Sequence, residues 1–181
     1  MFLSLILGVS ISIVGFSTLV AADPTSVVTL KSVQVSSTPN DYFDPWSVEI
    51  TKGQQSSQLN AKIPTKKDIP ETMLLKFVII LGGMEPIEYE TTLCEALTED
   101  VIGKSITAAG TPKGQFPVKC PFTAGDWGIV NWDPPTHMIP PGVPDGPVSG
   151  YMEFKEEGKA PYVKLDYDGE LSHALPTMMG R

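Results

Sequence analysis

The sequence predicts an all-β sandwich, because short alternating segments recur along the chain and turn residues separate them. In the first segment, Val27–Val35, most β-branched residues alternate with other side chains. Two more segments alternate around apolar triplets: Trp46, Val48, Ile50 and Leu59, Ala61, Ile63. Alternation of this kind is typical of half-buried antiparallel strands.

The segment Met73–Leu81 differs, since it is apolar on both faces except for Lys76, and it stops at Gly82. We expect a central strand here, with one face toward the core and the other at least partly covered. Four further segments complete the set of predicted strands: Ile87–Thr91, Trp127–Trp132, Val148–Phe154 and Tyr162–Tyr167. Eight short strands with turns between them favour a β-sandwich.

One segment has the spacing of a helix. Its apolar stripe consists of Leu93, Leu97 and Val101. Thr91 or Thr92 is placed to cap the first turn, and we expect Gly103 to end the helix.

Residues 1–22 are expected to form a signal peptide, because Leu3–Val20 holds only apolar residues, Gly, Ser and Thr, and small residues follow it. Cleavage after Ala22 would give a secreted protein, or one in the endolysosomal lumen. An uncleaved anchor is the alternative, since the run is nearly long enough to span a bilayer. Residues 23–171 then form one domain, and residues 172–181 a loose C-terminal tail.

The formal net charge is −8, and the leader contributes no ionisable side chain to it. A negative domain is a poor partner for nucleic acid and is not attracted to anionic lipid head groups. An apolar ligand remains compatible with this charge.

The chain has two cysteines, Cys94 and Cys120, and both lie after the leader. In an exported protein they are expected to form one disulfide, which would tie the first turn of the helix to the segment before Trp127. The alternative is a pair of separate buried thiols. A zinc site fits less well, because only His137 and His173 could complete it.

The segment Asp133–Pro147 contains six prolines, so no strand or helix can run through it. We expect a stiff loop between two strands. Its apolar residues Met138, Ile139 and Val143 either fold under the loop or face a ligand or a membrane.

Enzyme chemistry finds little support in the sequence. Serine, histidine and aspartate residues are present, but no Gly-X-Ser-X-Gly elbow or similar motif brings them together. No phosphate-binding glycine loop occurs, and no cofactor or metal is expected. We therefore predict a protein without catalytic residues.

The order of the motifs resembles a known family. A strand leads to Leu93-Cys94-Glu95-Ala96-Leu97 and a helix, then to Cys120-Pro121-Phe122 and a Gly-Asp-Trp strand. A proline-rich connection follows and ends in the strand Val148-Ser149-Gly150-Tyr151-Met152-Glu153-Phe154. This arrangement, clearest from Thr92 to Phe154, is similar to the ML lipid-recognition superfamily and to its ganglioside-activator-like branch, which includes insect chemosensory type-B proteins.

The resemblance implies an immunoglobulin-like β-cup, in which two splayed sheets enclose an apolar cavity for a lipid, sterol or other hydrophobic small molecule. Most members of the family carry several disulfides, whereas this chain has cysteines for one. Candidate cavity residues are the large apolar side chains on the strands beside the loop: Phe77, Ile79, Trp127, Trp132, Met152 and Phe154, with Met138 and Ile139 at the lip. The alternative for each is an ordinary place in the core.

Three functions are compatible with the sequence. The first is a secreted carrier or presenter of a hydrophobic ligand, with possible membrane contact through the Pro134–Pro147 loop. The second is a secreted interaction module with a self-filled core, acting through its surface in immune or chemosensory recognition. The third is a hydrolase whose nucleophile the sequence does not reveal.

Overall fold

The computed structural model describes residues 23–54, 56–100, 102–136 and 139–174, and these residues form a sandwich of two antiparallel sheets. The strands are β1 (Ser26–Ser37), β2 (Ser47–Lys52), β3 (Ser57–Thr65), β4 (Leu74–Leu81), β5 (Ile87–Thr92), β6 (Gly110–Thr111), β7 (Gly125–Trp132), β8 (Gly146–Lys155) and β9 (Val163–His173). Two helices, α1 (Leu93–Thr98) and α2 (Ile102–Ala109), connect β5 to β6. The predicted all-β sandwich is confirmed.

The larger sheet has five strands in the order β1-β9-β8-β4-β5, and the smaller has four in the order β2-β3-β7-β6. The two sheets approach each other where β1 runs beside β2 and β3. There the Leu30 backbone N–H donates to the Ser57 Oγ at 2.9 Å, which joins the sheets directly. On the other side, α1 and α2 carry the chain from one sheet to the other.

All eight predicted strands are present. The strand β4 lies between β8 and β5, as its apolar composition predicts, and Met73 just before it is fully buried. Two differences concern the ends of elements. The two-residue β6 has no signal in the sequence, and β9 continues to His173, which pairs with Ser26. The strand β9 thus extends two residues past position 171, and residues 175–181 of the predicted tail lie outside the described residues.

The helix prediction is correct at its start and wrong at its end. Thr92 caps α1: its hydroxyl accepts from the Glu95 N–H at 3.2 Å, and the Glu95 carboxylate accepts from the Thr92 N–H at 3.4 Å. Gly103 does not end this helix, because α1 stops at Thr98 and Gly103 lies inside α2. A side chain at 103 would collide with the Ala96 carbonyl, so this glycine allows close contact between the helices.

Cys94 and Cys120 lie at disulfide distance, with their Cα atoms 5.4 Å apart, and the chain has no free cysteine. The bridge ties the first turn of α1 to the connection before β7, as predicted. The predicted leader, residues 1–22, lies outside the described residues.

Candidate functional site: the interior between the sheets

The register of the strands defines which side chains face the space between the two sheets. On β4 the inward positions are Leu75, Phe77, Ile79 and Leu81, and on β8 their partners are Phe154, Met152, Gly150 and Val148. The four-stranded sheet faces them with Ile50, Leu59 and Trp132, and, further along, with Ala61, Ile63, Ile129 and Trp127. These inward side chains are apolar, and they are not packed equally along the strands.

One end of the interior is densely packed, and we call it the closed end. It is formed by a cluster of buried residues from both sheets, α1 and the connecting loops: Phe43, Trp46, Ile63, Ile69, Met73, Leu93, Leu97, Phe116, Phe122, Phe154, Val163 and Leu165. The rings of Trp46 and Phe154 meet edge to face, with 4.9 Å between their centroids. This end is an ordinary protein core.

The opposite end, which we call the open end, has a smaller cluster that belongs mainly to the five-stranded sheet: Val28, Leu81, Val143, Val148 and Leu171. Val143 comes from the proline-rich loop and is 8% exposed. It packs on the strand ends β1, β4, β8 and β9. The loop therefore covers part of this end with one of its own side chains.

Between the two clusters the inner face of the larger sheet is half-buried. Phe77 belongs to neither cluster. Its ring stacks on the ring of Tyr167, with 6.0 Å between the ring centroids and 23° between the ring planes. Tyr167 lies across Gly150, and its hydroxyl donates to the Val78 carbonyl at 2.9 Å. A side chain at 150 would collide with this ring, so the glycine lets the tyrosine lie low on the sheet.

The facing wall, on the smaller sheet, is also half-buried. Ile50 and Leu59 pair across β2 and β3, Leu59 pairs with Trp132 on β7, and none of the three belongs to either cluster. The Trp132 indole N–H donates to the Ser105 hydroxyl of α2 at 2.9 Å, which fixes the ring against the helix. Two apolar walls with incompletely buried side chains therefore face each other in the middle of the sandwich.

The polar groups near these walls are already hydrogen-bonded within the protein. The Tyr167 hydroxyl, the Trp132 indole N–H and the Ser57 hydroxyl all have partners. Burial raises the pKa of the Tyr167 hydroxyl, which keeps it protonated and neutral. The inward positions of β4 and β8 carry no charged residue. This interior suits an apolar ligand and offers no charge to a polar one.

The structure separates the predicted cavity residues into three groups. Phe154 is buried in the core of the closed end, and Trp127 packs against that core beside Phe116 and Phe122. Met152 is half-buried between the core and Phe77. Phe77, Ile79 and Trp132 lie along the middle of the interior or toward its open end.

The proline-rich loop is fastened to the rest of the domain. Ile139 packs partly against the smaller cluster, and its carbonyl accepts from the Asp23 N–H at 3.1 Å. The Thr136 hydroxyl donates to the Ser26 carbonyl at 3.0 Å. Met138, the other predicted lip residue, lies outside the described residues. The described part of the loop thus packs on its own domain.

One arrangement bears on the hydrolase alternative. His173 lies 2.5 Å from the Asp145 carboxylate through Nδ1, and its Nε2 lies 3.5 Å from both the Ser26 hydroxyl and the Asp23 carboxylate. The order of groups is that of a serine–histidine–aspartate triad. Ser26, however, is only 4% exposed, so its side chain is buried and not presented at the surface. These groups instead connect β1, β9 and the end of the proline-rich loop.

No protein-family model matches the chain, and no curated protein matches it either. Within the described residues, no group of His, Cys, Asp and Glu side chains could hold a metal ion. In the same part of the chain, neither helix is long and apolar enough to cross a membrane.

Sequence reasoning missed two features of this interior. Tyr167 was assigned to a strand but not to the site, although its pairing with Gly150 is what places its ring beside Phe77. The second feature is the edge strand β5, which the sequence predicts as a strand but not as part of the candidate site. Ile87 and Tyr89 alternate within it, and this pattern, directly after a Gly-Gly turn, was the available signal for an inward apolar face.

Proposed function

We propose that this chain is a secreted, non-enzymatic binding protein that holds a lipid, sterol or other hydrophobic small molecule between its two sheets. One observation carries the proposal: Phe77, Tyr167, Ile50, Leu59 and Trp132 face each other from the two sheets and remain half-buried between two packed clusters. Large apolar side chains that stay half-buried on two facing walls are typical of the lining of a site for a hydrophobic ligand, and this supports a guest between the sheets.

The physical basis of binding would be transfer of apolar surface out of water, which contributes about 25 cal/mol per Å². A ligand that buries a few hundred square ångströms would gain several kcal/mol before the costs of association. Walls without charge and with satisfied hydrogen-bonding groups add no desolvation cost. No covalent step is needed for such a role.

The paired cysteines support an extracellular setting, because a disulfide persists in an oxidising compartment. The order of strands, helix and disulfide also agrees with the resemblance to the ganglioside-activator-like branch of the ML superfamily. Membership in that family, cleavage of residues 1–22 and secretion are parts of the same proposal. Contact of the Pro134–Pro147 loop with a membrane belongs to it as well.

The test is binding of a fluorescent sterol or fatty-acid probe by protein stripped of lipid with organic solvent. We expect saturable binding, and we expect an organic-soluble compound to be found by mass spectrometry in protein purified without that treatment. Leu59→Trp fills the space from the smaller sheet, so it should abolish probe binding while the domain stays folded. Val130→Trp, on the outer side of the same sheet, is the matched control and should bind normally.

The self-filled interaction module predicts the opposite pattern. If the interior holds no guest, the probe does not bind, and Leu59→Trp destabilises the fold by about 1–3 kcal/mol through overpacking. These two results together would overturn the proposal that the protein carries a hydrophobic ligand.

A further inference from the structure

The inward apolar wall does not end inside the sandwich but continues onto the edge strand β5. Ile87 pairs with Ile79, and Tyr89 pairs with Phe77, so both face the same side as the cavity candidates. They are 51% and 53% exposed. Met84, on the turn between β4 and β5, is 49% exposed. We call Met84, Ile87 and Tyr89 the β5 rim.

This rim is unusual for an edge strand. Residues 82–90 are all exposed, although two of the large apolar side chains among them stand on the face that points between the sheets. Exposed apolar side chains that continue the inward face of a sheet are a candidate surface for binding an apolar ligand. A guest seated on Phe77 and Ile79 would cover the rim with its outer part.

Acidic side chains outnumber basic ones in the segment that carries the rim. From Gly82 to Lys104 the sequence carries six carboxylates and one lysine. Lys104 is ion-paired with Asp100. Glu88 and Glu90, on the outer side of β5, are neutralised by Lys76 at 2.9 Å and Lys155 at 2.8 Å.

Glu85 differs from these carboxylates. It lies beside Met84 in the turn, and no ion pair to it is present among the described residues. The inward positions of β4, β5 and β8 supply no cation. An anionic head group at the rim would therefore meet an unneutralised carboxylate and no lysine, whereas a neutral or cationic one would not be repelled.

We propose that the β5 rim is the entrance of the binding site, and that it selects single-chain or sterol-like amphiphiles whose head group is uncharged or positively charged. The inference rests on the proposed function, since it names the class of ligand and its path into the same interior. It also places the lip on β5 and not on the proline-rich loop, whose Ile139 packs partly against the domain.

The test compares three amphiphiles with the same sixteen-carbon tail: hexadecanol, hexadecylamine and hexadecanoate. Each competes at pH 7.5 and low ionic strength with an uncharged fluorescent sterol on the lipid-stripped protein. We expect the alcohol and the amine to displace the probe about tenfold better than the carboxylate. Raising the salt concentration should narrow this difference, because it screens exposed charges.

Two pairs of variants assign the effect to the rim. Glu85→Lys should strengthen hexadecanoate and weaken hexadecylamine, whereas Glu71→Lys, the same charge change near the closed end, should alter neither. The double variant Ile87→Ser with Tyr89→Ser should weaken all three ligands about tenfold. Val130→Ser, which removes an apolar side chain that is 48% exposed on the other sheet, should leave them unchanged.

The possible failures are distinguishable. If the sterol itself does not bind, the proposed function is wrong. If it binds but the three head groups compete equally, or the carboxylate competes best, selectivity by the rim is wrong and the binding protein stands. If the double variant binds all ligands as the wild type does, the entrance lies elsewhere.

Discussion

The closed and open ends of the sandwich are built from the same strands, yet they are packed differently. At the closed end, both sheets, α1 and the loops contribute to one cluster that includes Phe43, Phe116 and Phe122. At the open end the cluster is smaller, and the proline-rich loop supplies its cover. Alternation along a strand therefore determines which face is apolar, whereas the segments beyond the strand ends determine whether that face is filled.

The cross-links follow the same division. The Cys94–Cys120 bridge fastens α1 near the closed end. A polar cluster also lies there, in which the Glu156 carboxylate accepts from the Tyr42 hydroxyl at 2.9 Å and from the Tyr162 hydroxyl at 2.6 Å and pairs with Lys159. The middle of the interior has no comparable set of links among the described residues. The disulfide and this polar cluster therefore both fasten the closed end of the scaffold.

The largest expected effect compares two phenylalanines on neighbouring strands. Phe154→Ala removes a buried ring from the closed end and should destabilise the fold by about 3–5 kcal/mol. Phe77→Ala removes a half-buried ring, so we expect a loss below about 2 kcal/mol together with weaker probe binding. Urea unfolding and probe titration measure the two quantities. Ile80→Ala, on the outer face of β4, is the control for strand propensity.

A different outcome would contradict the difference in packing between the closed end and the middle of the sandwich. If Phe77→Ala costs as much as Phe154→Ala and leaves probe binding unchanged, the middle of the sandwich is packed core and Phe77 has no place in the site.

The disulfide should give the next largest effect. Its partners are 26 positions apart, and closing a loop of this size is worth about 3.5 kcal/mol in the chain-entropy model. The double variant Cys94→Ser with Cys120→Ser should lose about this much stability, and dithiothreitol should lower the urea midpoint of the wild type but not of the variant. Thiol labelling of denatured, unreduced protein should find no free cysteine, and two labelled thiols per chain would contradict the bridge.

The strands were predictable because each buries one face, which leaves a period of two in the sequence. The position of an inward residue along its strand, at a packed end or in the middle of the sandwich, leaves no such pattern in the sequence. Phe154 and Phe77 are both large inward residues on strands beside the loop, and only the cluster at the closed end distinguishes the buried ring of Phe154 from the half-buried ring of Phe77. The inward position of Trp127 likewise predicts a cavity residue, whereas in the structure its ring packs against Phe116 and Phe122.

The errors at glycines have a common cause. Gly103 was interpreted as a helix end because glycine often follows the last turn, but here the missing side chain makes room for the Ala96 carbonyl. Gly150 gave no signal, although it makes room for Tyr167. In both positions the requirement for glycine comes from a residue distant in sequence or on another element. A sequence by itself does not display such contacts.

The smallest expected change in stability at neutral pH concerns the polar cluster around Glu156 at the closed end. Lowering the pH should make its contribution to stability measurable. Hydrogen bonds from Lys159, Tyr162 and Tyr42 lower the pKa of Glu156 from 4.5 to about 2. Because the folded pKa is the lower one, the stability that this carboxylate contributes is complete above pH 4.5 and is lost as the pH falls toward 2. Urea midpoints of the wild type should decline through this window, and those of Glu156→Gln should decline less steeply.

The same carboxylate raises the pKa of both Tyr42 and Tyr162, through the hydrogen bonds that they donate to it. An alkaline absorbance titration of Glu156→Gln should therefore show tyrosine ionisation beginning at lower pH than in the wild type. Glu157→Gln, at the exposed neighbouring position, should change neither the acid slope nor the tyrosine titration. If the two variants behave alike, the hydrogen bonds of Glu156 do not stabilise the closed end. The packing of the buried cluster there must then account for the stability of that end.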